Sequence, residues 1–99
     1  MPSTVAGHSS DFKVFETDEF KKALARLGPS RFLRKKLDTY VYPQLRHGPY
    51  FGPNIRKLQG CAPATWRYRI GPYRLFYSVD ENGRIVFMLT VDDRKDAYR

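Results

Sequence analysis

Three arginines fall on two consecutive strand-like segments, Trp66-Arg67-Tyr68-Arg69-Ile70 and Tyr73-Arg74-Leu75-Phe76-Tyr77, with Arg94 and Tyr98 further along. Strand alternation sends Arg67 and Arg69 to one side of the first segment and Trp66, Tyr68 and Ile70 to the other. A guanidinium stays charged, and its planar fork matches two phosphate oxygens. A tyrosine stacks on a base or shares a proton. This set suits work on RNA, whose 2′-hydroxyl is itself a nucleophile. A protein that lines that oxygen up with the adjacent phosphorus has only to supply position and charge stabilisation. The competing reading is structural: exposed arginines on strands are common, and Arg94 can pair with Asp92 or Asp96.

Other chemistries find little support. His8 and His47 lack a local Ser or Cys partner, no Gly-rich phosphate loop follows a strand, and no carboxylate pair or deaminase signature is present. Cys61 is alone, so an internal disulfide is excluded, a structural zinc site is not expected, and a reducing compartment fits. No metal or cofactor is expected. No apolar run approaches the roughly 20 residues that span a bilayer, so no membrane partner is expected and a cytoplasmic location is. The chain has 99 residues and a net charge of +8, more than solubility requires, which points to a polyanionic partner. A basic domain with no nucleic-acid role stays open.

The elements that must position these residues follow from periodicity. Residues 1–10 read as a disordered leader and 11–99 as one domain. Phe12 and Val14 flank Lys13, a first strand at about 11–16. Thr17 can cap a helix whose face is Phe20, Ala23, Leu24 and Leu27. Ser30 can cap a second, with the stripe Phe32, Leu33, Leu37, Tyr40 and Val41, ended by Pro43 near Tyr42. Its basic side, Arg31, Arg34, Lys35 and Lys36, reads as solvated. Residues 43–60 are rich in Pro and Gly and read as a long loop, with Tyr50 and Phe51 anchoring it on the core.

Three strands then form a meander: 64–70, 73–79 and 85–91. Gly71-Pro72 turns the first pair, and a two-residue Asn82-Gly83 turn would set Ser78 across from Phe87, Phe76 across from Leu89, and Arg74 across from Val91. A loop one residue longer would shift that register. The expected fold is α+β and two-layer: an antiparallel-rich sheet of about four strands with an N-terminal helical hairpin on one face. Trp66, Tyr68, Phe20, Leu24, Leu33 and Leu37 contribute to its core.

Lys57-Leu58-Gln59-Gly60, Trp66 to Gly71, Tyr73 to Tyr77 and Arg94-Lys95-Asp96-Ala97-Tyr98 together resemble the RelE/ParE toxin superfamily. Its pattern is a K-L-x-G loop, a Y-R-x-R-x-G-x-Y-R double strand and a late R-x-x-x-Y. The resemblance covers about residues 12–99. It implies the toxin of a type II toxin–antitoxin pair, of the branch that cleaves mRNA in the ribosomal A site without metal and leaves a 2′,3′-cyclic phosphate.

On that reading Arg67 and Arg69 contact the RNA backbone near the 2′-hydroxyl. Arg74 and Arg94 stabilise the phosphorane-like charge, and Tyr98 stacks or helps proton transfer. Arg56, Lys57 and Lys95 are further RNA contacts. The implied partners are the ribosome, mRNA and a cognate antitoxin whose acidic, partly disordered segment covers the toxin and weakens its grip in salt. Two features depart from the pattern: arginines replace the lysines of the well-studied ribosome-dependent enzyme, and Asp93 stands where many relatives carry His. The alternative is the ParE branch, which shares the fold and poisons DNA gyrase by binding, or a catalytically weak RNA-binding relative.

Overall fold

The structure, a computed structural model, describes residues 11–28 and 30–93. In chain order these form β1 (Lys13–Glu16), α1 (Asp18–Leu27), α2 (Arg31–Lys36), a π-helical turn (Leu37–Val41) and α3 (Tyr42–His47). The strands β2 (Ile55–Lys57), β3 (Trp66–Ile70), β4 (Tyr73–Asp80) and β5 (Ile85–Asp93) follow. The sheet order is β1-β5-β4-β3-β2. β1 runs parallel to β5 and every other pair is antiparallel. The α+β class and two-layer arrangement are as expected. The sheet has five strands rather than about four, because Ile55–Lys57 pairs with Tyr68, Arg67 and Trp66 as an edge strand.

Both helix starts are capped by the residues the sequence offers. The Thr17 hydroxyl accepts from the Phe20 N–H at 3.1 Å and donates to the Met88 carbonyl at 2.7 Å, so it starts α1 and ties it to β5. Asp18 and Glu19 fill the first turn, where negative charge meets the positive end of the helix dipole. Ser30 accepts from the Leu33 N–H at 3.1 Å. Pro43 does not end the second helix, which continues to His47. A proline ring strikes the carbonyl one turn back and lacks a donor. Here the chain widens into a π turn just before it, with the Tyr42 N–H reaching the Leu37 carbonyl, and this looser register accommodates the proline.

The helices cover one face of the sheet. Phe20, Ala23, Leu33, Leu37, Val41, Tyr42 and Leu45 pack in a single core with Tyr68, Leu75, Tyr77, Val86, Met88 and Val91. Each large apolar side chain so buried contributes roughly 1.5–3 kcal/mol. Leu24 and Trp66 are only partly buried at its edge. Phe32 and Tyr40, expected in the stripe, are each 49% exposed and flank Lys36, whose ammonium lies 5.8 and 5.7 Å from their ring centres. The loop after α3 is short and anchored: the Tyr77 hydroxyl donates to the Pro49 carbonyl at 2.7 Å, and Tyr50 packs on Phe12 and Trp66. Phe51 stays 87% exposed.

The β4–β5 hairpin departs from the expected register in a way that matters for the site. Its loop is Glu81–Arg84, closed by the Asp80↔Ile85 pair, and its left-handed residue is Arg84 (φ 57°) rather than Asn82 or Gly83. Ser78 faces Phe87 as expected. Tyr77 then pairs with Met88 while Phe76 pairs with Thr90, which makes Leu89 the extra residue of a β-bulge. The bulge flips the alternation of β5. Val86, Met88 and Val91 all face the helices, and Thr90 and Asp92 go to the other side. Arg74 therefore stands across from Asp92, not Val91.

Candidate functional site

The face of the sheet away from the helices is divided by chemistry. At the β1–β5 end it is apolar: Phe15, 54% exposed, meets Phe87 edge-on at 5.8 Å. At the other end cross-strand pairing gathers arginines. Arg56 on β2 faces Arg67 on β3, and Arg69 on β3 faces Arg74 on β4. Paired residues share a face, so one row runs Arg56, Arg67, Phe76, Thr90 and the next Arg69, Arg74, Asp92. The Gly71-Pro72 turn sets the second row. Gly71 takes φ 58°, a value few side chains tolerate, and proline supplies the following φ, so the strands join over two residues.

Like charges placed directly opposite one another destabilise a sheet. Here two such pairs adjoin, and among the described residues Asp92 is the only acidic group bonded to any of the four. Arg74 donates from Nε to Asp92 Oδ1 at 3.0 Å and from Nη2 to Oδ2 at 3.3 Å. Arg67 is the most constrained. Its Nε is buried with no hydrogen-bond partner, and its pKa is lowered by burial first and then by Arg56, Arg69 and Arg74. A guanidinium remains protonated near neutrality even so. The cluster is thus a set of cations, one of them held by a carboxylate, whose donors are largely unclaimed among the described residues, and it suits an extended polyanion.

Of the residues singled out from sequence, the fold brings together Arg67, Arg69, Arg74 and Arg56. Lys57 pairs with Trp66 on the helix side of the sheet, its ammonium 5.5 Å from the indole ring centre, and so is not part of the arginine face. Arg94, Lys95 and Tyr98 lie outside the described residues. Asp92 was legible only as a possible partner of Arg94. Its place beside Arg74 depends on the Leu89 bulge. Among the described residues no three His, Cys, Asp or Glu side chains cluster as metal ligands.

The two-layer α+β fold is that of the RelE/ParE-type toxins. Residues 17–98 match the family described as ParE toxin of type II toxin–antitoxin system, parDE, and the chain belongs to it. Solved structures agree. The toxin–antitoxin complex RelBE2 from Mycobacterium tuberculosis is 27% identical, with 85% of this chain and 99% of that chain covered at a TM-score of 0.70. The archaeal RelE–RelB complex from Pyrococcus horikoshii is 26% identical, with 85% and 96% covered and a TM-score of 0.64. A mutant of Escherichia coli RelE in the free state shares the fold at 20% identity, with 89% and 88% covered and a TM-score of 0.65. No curated protein matches in sequence. No helix among the described residues is long and apolar enough to cross a membrane.

Proposed function

We propose that this toxin is an endoribonuclease that cleaves mRNA on the ribosome, using the substrate 2′-hydroxyl and no metal. The observation that carries the reading is the arginine face: Arg56, Arg67, Arg69 and Arg74 on adjacent strands, with one carboxylate bonded to them among the described residues. In the reaction the 2′-oxygen attacks the adjacent phosphorus and gives up its proton. The bond to the 5′-oxygen breaks, and that oxygen leaves protonated, which yields a 2′,3′-cyclic phosphate and a 5′-hydroxyl. Negative charge grows on the phosphoryl oxygens as the new bond forms. Guanidinium groups already gathered on one face meet that charge, and Arg74, held by Asp92, does so with the least reorganisation. They are poor general bases, so their part is to hold the backbone and stabilise charge. Arg94 and Tyr98 are the further candidates, for phosphate contact and for stacking or proton transfer, and Lys95 for RNA contact; Lys57, on the opposite face of the sheet, is not one of them. The setting is the cytoplasm, and the partner that restrains the toxin is an antitoxin with an acidic segment.

A second reading, inhibition of DNA gyrase by binding, is favoured by the family match, whose description is ParE. One pair of assays separates the two: mapping of mRNA ends in a translation extract, and gyrase supercoiling. The nuclease reading expects cyclic-phosphate ends and intact supercoiling. Loss of a preorganised donor lowers rate about 10²–10³-fold, so Arg67→Ala and Arg74→Ala are expected to fall by that much in single-turnover cleavage on programmed ribosomes. Wild-type rates in both would remove these residues from the chemistry. Inhibited supercoiling without cleavage would establish the gyrase reading.

A further inference from the structure

A guanidinium has five N–H donors arranged along two usable edges. Asp92 takes the edge formed by Nε and Nη2, at 3.0 and 3.3 Å. The other edge, Nη1 with the second hydrogen of Nη2, has no partner among the described residues. Arg56, Arg67 and Arg69 have no carboxylate partner there at all. The Leu89 bulge sets this pair, since without the extra residue Val91 would face Arg74.

We propose that Asp92 is a positioning residue for Arg74. It locks the outer torsions of a long side chain and leaves the free edge, with the same two-donor spacing, for a phosphate of the RNA while the carboxylate stays in place. The substrate named here rests on the nuclease reading above; the two-edged geometry does not. Competition between Asp92 and phosphate would need both anions on one edge. The side-on pairing leaves the end-on edge open, so both can bind together.

The test follows the arginine Nε–H signals by NMR in the full-length ¹⁵N-labelled chain, titrated first with inorganic pyrophosphate and then with an uncleavable 2′-O-methyl oligonucleotide. The Arg74 Nε–H is expected to stay protected at saturation with either probe while its Nη signals move, and Asp92→Ala is expected to abolish the protection. Loss of protection on binding, or probes that leave Arg74 unchanged, would overturn the proposal. In single-turnover cleavage Asp92→Ala should slow the reaction about tenfold or more, as misplacement of a positioned group does. Oligonucleotide affinity should be unchanged or tighter, and there should be no further loss in an Arg74→Ala background. Additive losses would mean that Asp92 acts elsewhere, and the proposal would fall. If the wild-type protein cleaves no RNA, the nuclease reading fails, and the pyrophosphate titration still decides the role of Asp92.

Discussion

Replacing Arg67 with methionine should make the free protein more stable while it weakens RNA binding. The residue keeps a buried Nε without a partner, and a buried donor left unsatisfied costs roughly 1–3 kcal/mol. Its neighbours add to this: Arg56 lies directly across one strand boundary, and Arg69 and Arg74 are close enough to lower its pKa. Cross-strand pairs of like charge cost roughly 0.2–1 kcal/mol. Arg67 is only part-buried, so the low end applies to both and the expected gain is about 1 kcal/mol. Methionine keeps the unbranched stem and removes the donor and the charge. For a domain of this size 1 kcal/mol moves the melting temperature by about 4–8 °C. Thermal unfolding by circular dichroism, in low salt and again near 1 M salt, reads the effect. The Debye length falls to about 3 Å at 1 M, so the repulsive part of the difference should shrink while the part due to the unsatisfied donor persists. A variant that melts below the wild type in both conditions would refute the reasoning, because it would mean that Arg67 is held by favourable contacts. A gain untouched by salt would refute the electrostatic half alone.

Leu37 is fully buried and Leu24 only partly, so Leu37→Ala should cost about 2–5 kcal/mol in urea unfolding and Leu24→Ala distinctly less; equal losses would contradict the packing described. Burial first raises the phenols of Tyr42 and Tyr77, followed by the hydrogen bond to Glu16 for Tyr42 and the proximity of Tyr68 for Tyr77. The fold holds them neutral, so their stabilisation is complete below the unfolded value of about 10 and is lost as pH rises through the folded values. Unfolding free energy should therefore fall steeply above about pH 10, and less steeply in Tyr77→Phe; a flat profile would show that these phenols ionise freely.

Most of the scaffold is legible in the sequence because single residues specify it. Thr17 and Ser30 cap where a hydroxyl is needed, Gly71-Pro72 supplies the two φ values of a tight turn, and period-two alternation separates Tyr68 from Arg67 and Arg69. The misreadings have local physical causes. Pro43 reads as a stop because the rule assumes α-helical register, and a π turn changes that register just upstream. Phe32 and Tyr40 fit the helical stripe by spacing, but both stay half-exposed at its margin, on either side of Lys36. Ile55–Lys57 is too short to show a period. Leu89 sits in the unbroken apolar run Ile85 to Leu89, where a switch in alternation leaves no mark, so Asp92 could not be placed beside Arg74 from sequence.

The same bulge links core and site. By adding one residue it turns Val91, rather than Thr90, toward the helices, and in the same step it brings Asp92 across from Arg74. The core thus favours the register that orients one arginine, while Arg56, Arg67 and Arg69 have no bonded carboxylate among the described residues. Their mutual repulsion lowers the stability of the free fold, and any anion that covers them relieves it. On the proposed function, phosphates along an RNA backbone and carboxylates along an acidic segment would compete for the same donors. A ligand of either kind that binds the folded chain alone stabilises it by mass action, by about 2.7 kcal/mol at a hundredfold excess over its dissociation constant. On the proposed function, a shared demand for anions would let an antitoxin and a substrate exclude one another at a single surface, with no conformational change required of the toxin.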